Sequence, residues 1–286
     1  MNEEERFDFE QKHEEDLQRL RGFRLLDDDF MSKVFEDKNC VEFLLQIILK
    51  RDDLKVTSVS SQYVIKNLQG RSVRLDILAV DRQNQVYNIE IQRDDKGAGV
   101  KRARYNSSLI DANVTEPGEQ YQNLNETYVV FITENDVLRD NLPLYDIRRT
   151  IKQSAKDFED GSHIIYVNSQ RRDGTALGKL MQDLYCTDPK NLHYHEFAER
   201  MEFLKYSKEG EEKMTDVIEE YAARKAEKLA KEAAETAAKE AAKEAQARNI
   251  ELAKDLLSEG ETIERTVRLS KLSEAEVREL ASKLTA

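Results

Sequence analysis

The stretch Ser72–Arg93, SVRLDILAVDRQNQVYNIEIQR, decides the fold. It alternates apolar and polar residues on both sides of a short polar break, the pattern of two strands joined by a tight turn. In the first strand Val73, Leu75, Ile77 and Ala79 fall on one face and Arg74, Asp76, Leu78 and Val80 on the other. In the second, Tyr87, Ile89 and Ile91 share a face, and Asn88, Glu90 and Gln92 the opposite one. Opposed residues of an antiparallel pair lie on the same side of the sheet. A three-residue turn at Arg82–Asn84 therefore sets Asp76 against Glu90 and Arg74 against Gln92. A five-residue turn keeps the faces but moves Asp76 opposite Gln92, diagonal to Glu90. A two-residue turn mixes polar with apolar on both faces, so the pattern favours an odd turn and brings the two carboxylates together.

Two neighbouring carboxylates among apolar residues repel unless a cation or a proton lies between them. A hard divalent ion with oxygen ligands, Mg²⁺ above all, suits Asp76 and Glu90, with Gln92 positioned to hold a water or a phosphate oxygen. Arg74, on the same face, is placed to pair with a phosphate or with the acids. The same spacing also fits an ion-pair cluster of Arg with Asp and Glu that holds no metal.

Outward from this hairpin, residues 1–204 read as one mixed α/β region. The apolar run Phe30–Leu49 is helical with a break near Asp37–Asn39, and strand-like runs follow at Val56–Leu68, Tyr128–Thr133 and Ile164–Asn168. Val100–Asn113 is helical, which gives the order α-β-β-β-α-β-β. Between Arg93 and Tyr105 five cations, Arg93, Lys96, Lys101, Arg102 and Arg104, face Asp94 and Asp95. The segment reads as a phosphate track, with Tyr105 available to stack on a base or to pack on the sheet. Its competing reading is a solvated helix face. Lys101 and Tyr105, four apart, share a face. His193 and His195 lack companion ligands at zinc spacing and read as structural or surface residues, and Cys40 and Cys186 as packed thiols. No phosphate-binding loop, dinucleotide fingerprint or nucleophile elbow appears, so a nucleotide cofactor is not expected.

From Lys205 to Arg248 the chain turns to Ala, Glu and Lys, a strong helix-forming composition with few large apolar residues after Leu229. This is a spacer helix or a coiled coil that makes a homodimer. Residues 249–286 regain apolar periodicity, with Gly260 as a helix C-cap and Ser273/Glu276 as a capping box, and read as a small helical module. The whole chain has 286 residues and a formal charge of −12. An acidic average argues against a protein that coats nucleic acid, so any DNA contact must be local. Two cysteines do not make a disulfide framework, the acidic start lacks a signal peptide, and no apolar run approaches the roughly 20 residues of a membrane span. A cytoplasmic protein is expected.

Asp76 followed by Glu90-Ile91-Gln92 resembles the core of the PD-(D/E)XK nucleases, and several stretches resemble the transposases of that family. These are LLDDDFMSKVFED, RLDILAVD, YNIEIQR, KRARYNSSLIDAN, ETYVVFITENDVL, LPLYDIRR and HIIYVN, in that order, over roughly residues 22 to 205; the C-terminal module also resembles the family's short helical tail. The resemblance implies a restriction-endonuclease-like mixed sheet flanked by helices. It also implies a Mg²⁺- or Mn²⁺-dependent DNA endonuclease acting in recombination of mobile DNA. Asp76 and Glu90 would bind the metal, and Gln92 would stand where the motif has lysine, a departure that removes a positive charge. Asp28 matches the acid of the N-terminal helix, with Asp27 and Asp29 competing for the role. The "PD" pair is absent, since Leu75 precedes Asp76. The expected DNA contacts are Arg74, Arg93, Lys101, Arg102, Arg104 and Tyr105. The alternative is a catalytically weak or inactive nuclease fold that binds DNA, or acts as an adaptor, and dimerises through its long helix.

Overall fold

The computed structural model describes residues 3–67, 70–92, 97–115 and 117–284, without the side chains of residues 3–10 and Asp28. Helix α1 (Glu3–Gly22) is followed by α2 (Asp28–Val34) and α3 (Lys38–Leu49). The break between α2 and α3 falls where the sequence places it, because the Asp37 carboxylate accepts the Asn39 (2.7 Å) and Cys40 (3.4 Å) amides and starts a new helix. Lys50, with φ 55°, ends α3.

Strands β1 (Val56–Ile65), β2 (Val73–Asp81) and β3 (Val86–Gln92) run antiparallel in succession. Helix α4 (Val100–Val114) then crosses over to β4 (Thr127–Thr133), which lies parallel to β3. After β5 (Leu144–Ile147) and a small ribbon of β6 (Thr150–Ile151) and β7 (Lys156–Asp157), β8 (Ser162–Asn168) adds in parallel beside β4. The sheet order is β1-β2-β3-β4-β8-β5. The short edge strand β5, antiparallel to β8, is not legible as a strand in the sequence. Its four residues are too few to set up an alternation. Helices α1, α5 (Ala176–Tyr185) and α6 (His195–Tyr206) likewise add to the expected order.

Helix α4 lies on one face of the sheet, with Ala103, Leu109 and Ile110 packed against Val86, Val129, Phe131 and Tyr166. On the other face Ile77, Ala79, Ile89 and Ile91 are buried, and Ile47 and Ile48 of α3 line a cavity together with Tyr128 and Ile165. Helices α5 and α6 pack onto α3, and α2 packs onto α6. Lys205 of α6 is fully buried there; its ammonium donates to the carbonyls of Arg21 (3.1 Å), Phe23 and Thr187 (2.7 Å) and sits 4.9 Å from the Phe30 ring.

The β2–β3 pairing Ile77–Ile89, Leu78–Asn88, Ala79–Tyr87 and Val80–Val86 fixes the three-residue turn. The Asp81 carboxylate accepts the amides of Gln83 (2.8 Å) and Gln85 (2.9 Å), and Asn84 closes the loop with φ 59°. One expectation from strand parity fails. Leu75 and Val73 pack with the α4 cluster rather than with Ile77. The reason lies one rung away: β1–β2 pairing passes from Ser61–Ile77 to Tyr63–Leu75 without the Gln62–Asp76 pair, and Gln62 has φ 55°. A left-handed residue inside a strand turns the ribbon beyond it.

The chain divides into two compact units, Met1–Glu219 and Glu220–Ala286, and the boundary falls inside one continuous helix, α7 (Lys208–Ser258). Residues 223–248 of that helix are exposed throughout. In the second unit the end of α7 packs with α8 (Ile263–Ser270) and α9 (Glu274–Leu284) around Ala253, Leu272 and Val277. Gly260 has φ 85°, and Ser273 and Glu276 exchange reciprocal bonds (Ser273 amide to Glu276 Oε2, 2.8 Å; Glu276 amide to Ser273 Oγ, 3.4 Å). Among the described residues no helix is long and apolar enough to cross a membrane.

Candidate active site and basic cleft

Asp76 and Glu90 come from adjacent antiparallel strands, and Gln92 lies two residues beyond Glu90 where β3 ends. Asp76 Oδ2 accepts the Ile91 amide at 3.1 Å, so its carboxylate enters the gap between the strands just where their pairing stops. Glu90 is completely buried. Burial, and secondly the charge of Asp76, push its carboxyl up to about 8 against the opposing pull of Arg102. Arg102, in the first turn of α4, places Nη2 2.7 Å from Glu90 Oε2, and its Nη1 donates to the Gly97 carbonyl at 2.9 Å. The same Nη1 is 3.5 Å from Gln92 Oε1, and the guanidinium lies over the Phe131 ring. Asn106, one turn along α4, directs Nδ2 to Glu90 Oε1 at 3.4 Å.

The site contains buried amide oxygens short of partners. Asn88 and Asn106 are buried on the Glu90 side, Asn88 near enough to favour the charged form of Glu90, and the Oδ1 of each lacks a hydrogen-bond partner. A native interior seldom leaves such groups dry. Two mutually repelling carboxylates and two orphaned amide oxygens are a hard-oxygen donor set, and they fit a hydrated divalent cation. Among the described residues there is no cluster of three or more His, Cys, Asp or Glu side chains of the kind that encloses a metal, so water and backbone would complete the coordination. His193 and His195 turn to Gln182 (3.0 Å) and Glu199 (3.2 Å), and the Cys40 thiol is buried.

Beside the acids lies an open cleft of about 720 Å³ between the start of β2 and α4. Arg71, Arg74, Lys101, Arg102 and Arg104 line it, and among the described residues no acid does. Three of these expected contacts, Arg74, Lys101 and Arg104, are exposed, whereas Arg102 turns inward to Glu90. Tyr105 packs against the α4 core cluster and also lines the cleft. Its hydroxyl donates to the Arg71 carbonyl (2.5 Å), receives Asn67 Nδ2 (3.2 Å), and ties α4 to the β1–β2 connection. Arg93 lies outside the described residues, as does the side chain of Asp28. Asp27 precedes α2 and pairs with Arg24 at 2.9 Å; Arg24 reaches Glu134 at 3.6 Å, whose amide donates to the Gln92 carbonyl. The start of α2 is thereby brought to the Gln92 end of the sheet.

Sequence reasoning missed Arg71, Asn106 and the left-handed Gln62. A signal for Asn106 existed, since it stands four residues after Arg102 on the same helical face. Gln62 carries none, because its backbone angle follows from the strands around it.

An antiparallel unit bearing an acid pair, followed by a helical crossover to a parallel strand, is the PD-(D/E)XK nuclease fold. The description of a PD-(D/E)XK nuclease family transposase matches residues 30–258, and the chain belongs to that family, which ties it to nuclease and transposition-related function. No curated protein and no solved structure matches it.

Proposed function

We propose that the protein is a divalent-metal-dependent DNA endonuclease, with Mg²⁺ or Mn²⁺ held by Asp76 and Glu90 and duplex DNA lying in the neighbouring cleft. The observation that carries this reading is the coincidence of a buried Glu90 beside Asp76 with a cleft lined by five cations. Arg71, Arg74, Lys101 and Arg104 neutralise backbone phosphates, which holds one phosphodiester at the mouth of the site despite the chain's overall acidity. When bound, the metal lowers the pKa of a water and offsets charge on the phosphate. Gln92 orients the attacking water, and Asn88 and Asn106 hold the solvent behind Glu90. In the reaction the water oxygen bonds to phosphorus as one P–O ester bond breaks; the water gives up a proton and the departing alkoxide gains one.

Plasmid nicking tests the proposal. Wild type should cut with Mg²⁺ or Mn²⁺ and stop in EDTA, and Asp76→Ala and Glu90→Ala should each lose at least about 100-fold in rate. The Arg102–Glu90 contact favours a second reading, in which the guanidinium replaces the metal and the fold binds DNA, or acts as an adaptor dimerised through α7, without cutting. DNA binding with no cleavage under any metal would select it.

A further inference from the structure

We infer that Arg102 supplies a fixed side-chain charge at the active site, acting on the reacting phosphate from helix α4 beside the charge a bound metal would bring. The inference rests on the nuclease reading above and gives a catalytic role to a residue that reading leaves unassigned. Charge builds on the phosphoryl oxygens as the P–O bond exchanges, and a site with preorganised donors lowers that barrier most. The side chains that β2 and β3 bring together are two acids and a neutral amide, Asp76, Glu90 and Gln92, none of which can offset that charge without help.

Arg102 is built to provide it. Its guanidinium touches Glu90 Oε2 at 2.7 Å, the Gly97 carbonyl at 2.9 Å and the neighbourhood of Gln92 Oε1 at 3.5 Å, and lies 5.9 Å from the Phe131 ring centroid. These contacts fix the group at the base of the cleft, whereas Lys101 and Arg104 on either side of it are exposed. A phosphate anchor needs only reach and charge. A group held on four sides, with its side chain still 39% exposed, is positioned and able to donate outward. The contact uses one oxygen of Glu90 and leaves Oε1, beside Asn106, on the side of the orphaned amides.

The geometry also says how to test this. Because Arg102 Nη1 lies beside the Gln92 side chain, a lysine at position 92 would place its ammonium in the same neighbourhood. We compare wild type, Arg102→Ala, Arg102→Lys, Gln92→Lys and the Arg102→Ala/Gln92→Lys double variant in plasmid cleavage, in DNA binding with Ca²⁺, and in thermal unfolding in EDTA. The expected result is a fall in kcat of about 100-fold for Arg102→Ala, with DNA affinity changed by less than about 10-fold. The double variant should recover at least about 10-fold of that kcat, and in EDTA it should regain the thermal midpoint that Arg102→Ala loses. Unchanged kcat in Arg102→Ala overturns the inference, as does a loss confined to DNA affinity or a double variant that recovers neither rate nor midpoint. A wild type that cuts under no metal sinks the nuclease reading and this inference together; a wild type that cuts while Arg102→Ala cuts equally well sinks the inference alone.

Discussion

At the scale of single residues, two buried groups far from the acids show how the interior handles polarity. Lys205 has three carbonyl partners for its three ammonium hydrogens, so burial is compensated by bonding. Lys205→Met keeps most of the volume but strands those carbonyls, and should lower unfolding free energy by about 3 kcal/mol in urea titrations. Burial, then the charge of Asp37, pushes the Cys40 thiol up to about 12. A thiol that stays protonated is a poor nucleophile. At pH 8 a disulfide reagent should therefore label half-buried Cys186 quickly and Cys40 only on unfolding, which a stopped-flow thiol assay would show.

At the scale of elements, what positions the site is where strands stop pairing. The β2–β3 ladder ends at Ile77–Ile89, and the Asp76 carboxylate takes the Ile91 amide that would otherwise continue it. On the other side of the rung, Gln62 breaks the β1–β2 ladder. A local irregularity over-determined by both neighbours is how a sheet aims a side chain. The join between α6 and α7 is constrained differently. A methyl group on Gly210 would run into the Phe203 carbonyl and the Leu204 backbone, so the two helices meet there only because that position has no side chain. Gly210→Ala should cost about 2–3 kcal/mol of stability, seen as a lower denaturation midpoint with an unchanged m-value.

At the scale of the whole molecule, charge is sorted. The chain carries −12 overall, yet a cleft with five cations opens beside the acid pair. Binding that rests on those contacts releases counterions, so a plot of log affinity for duplex DNA against log salt should have a slope of about −4. Arg104→Ala should flatten it by about 1, and a slope near zero in wild type would remove the cleft from the DNA path. The second unit has its own small core around Ala253, Leu272 and Val277, and residues 223–248, ahead of that core in the helix, are exposed. The fragment Met1–Glu219 should thus keep its thermal transition and, on the proposed function, whatever metal-dependent nicking the full chain shows, the two measured side by side.

Much of this was written locally. Alternation over Ser72–Arg93 pointed to an odd turn, and Arg82–Asn84 is that turn, because side-chain direction in a strand has a period of two and an odd turn preserves the faces of the paired residues. The helix break near Asp37–Asn39, the Gly260 terminus and the Ser273/Glu276 box were equally legible, since each depends on residues within a few positions of one another. Tertiary structure alone decided the rest. It buried Glu90, turned Arg102 inward while leaving Arg104 outside, flipped Leu75 to the α4 face and added the edge strand β5. Those outcomes depend on which distant segment covers a face, and on where a ladder gives out. Neither is encoded in the spacing of neighbouring residues.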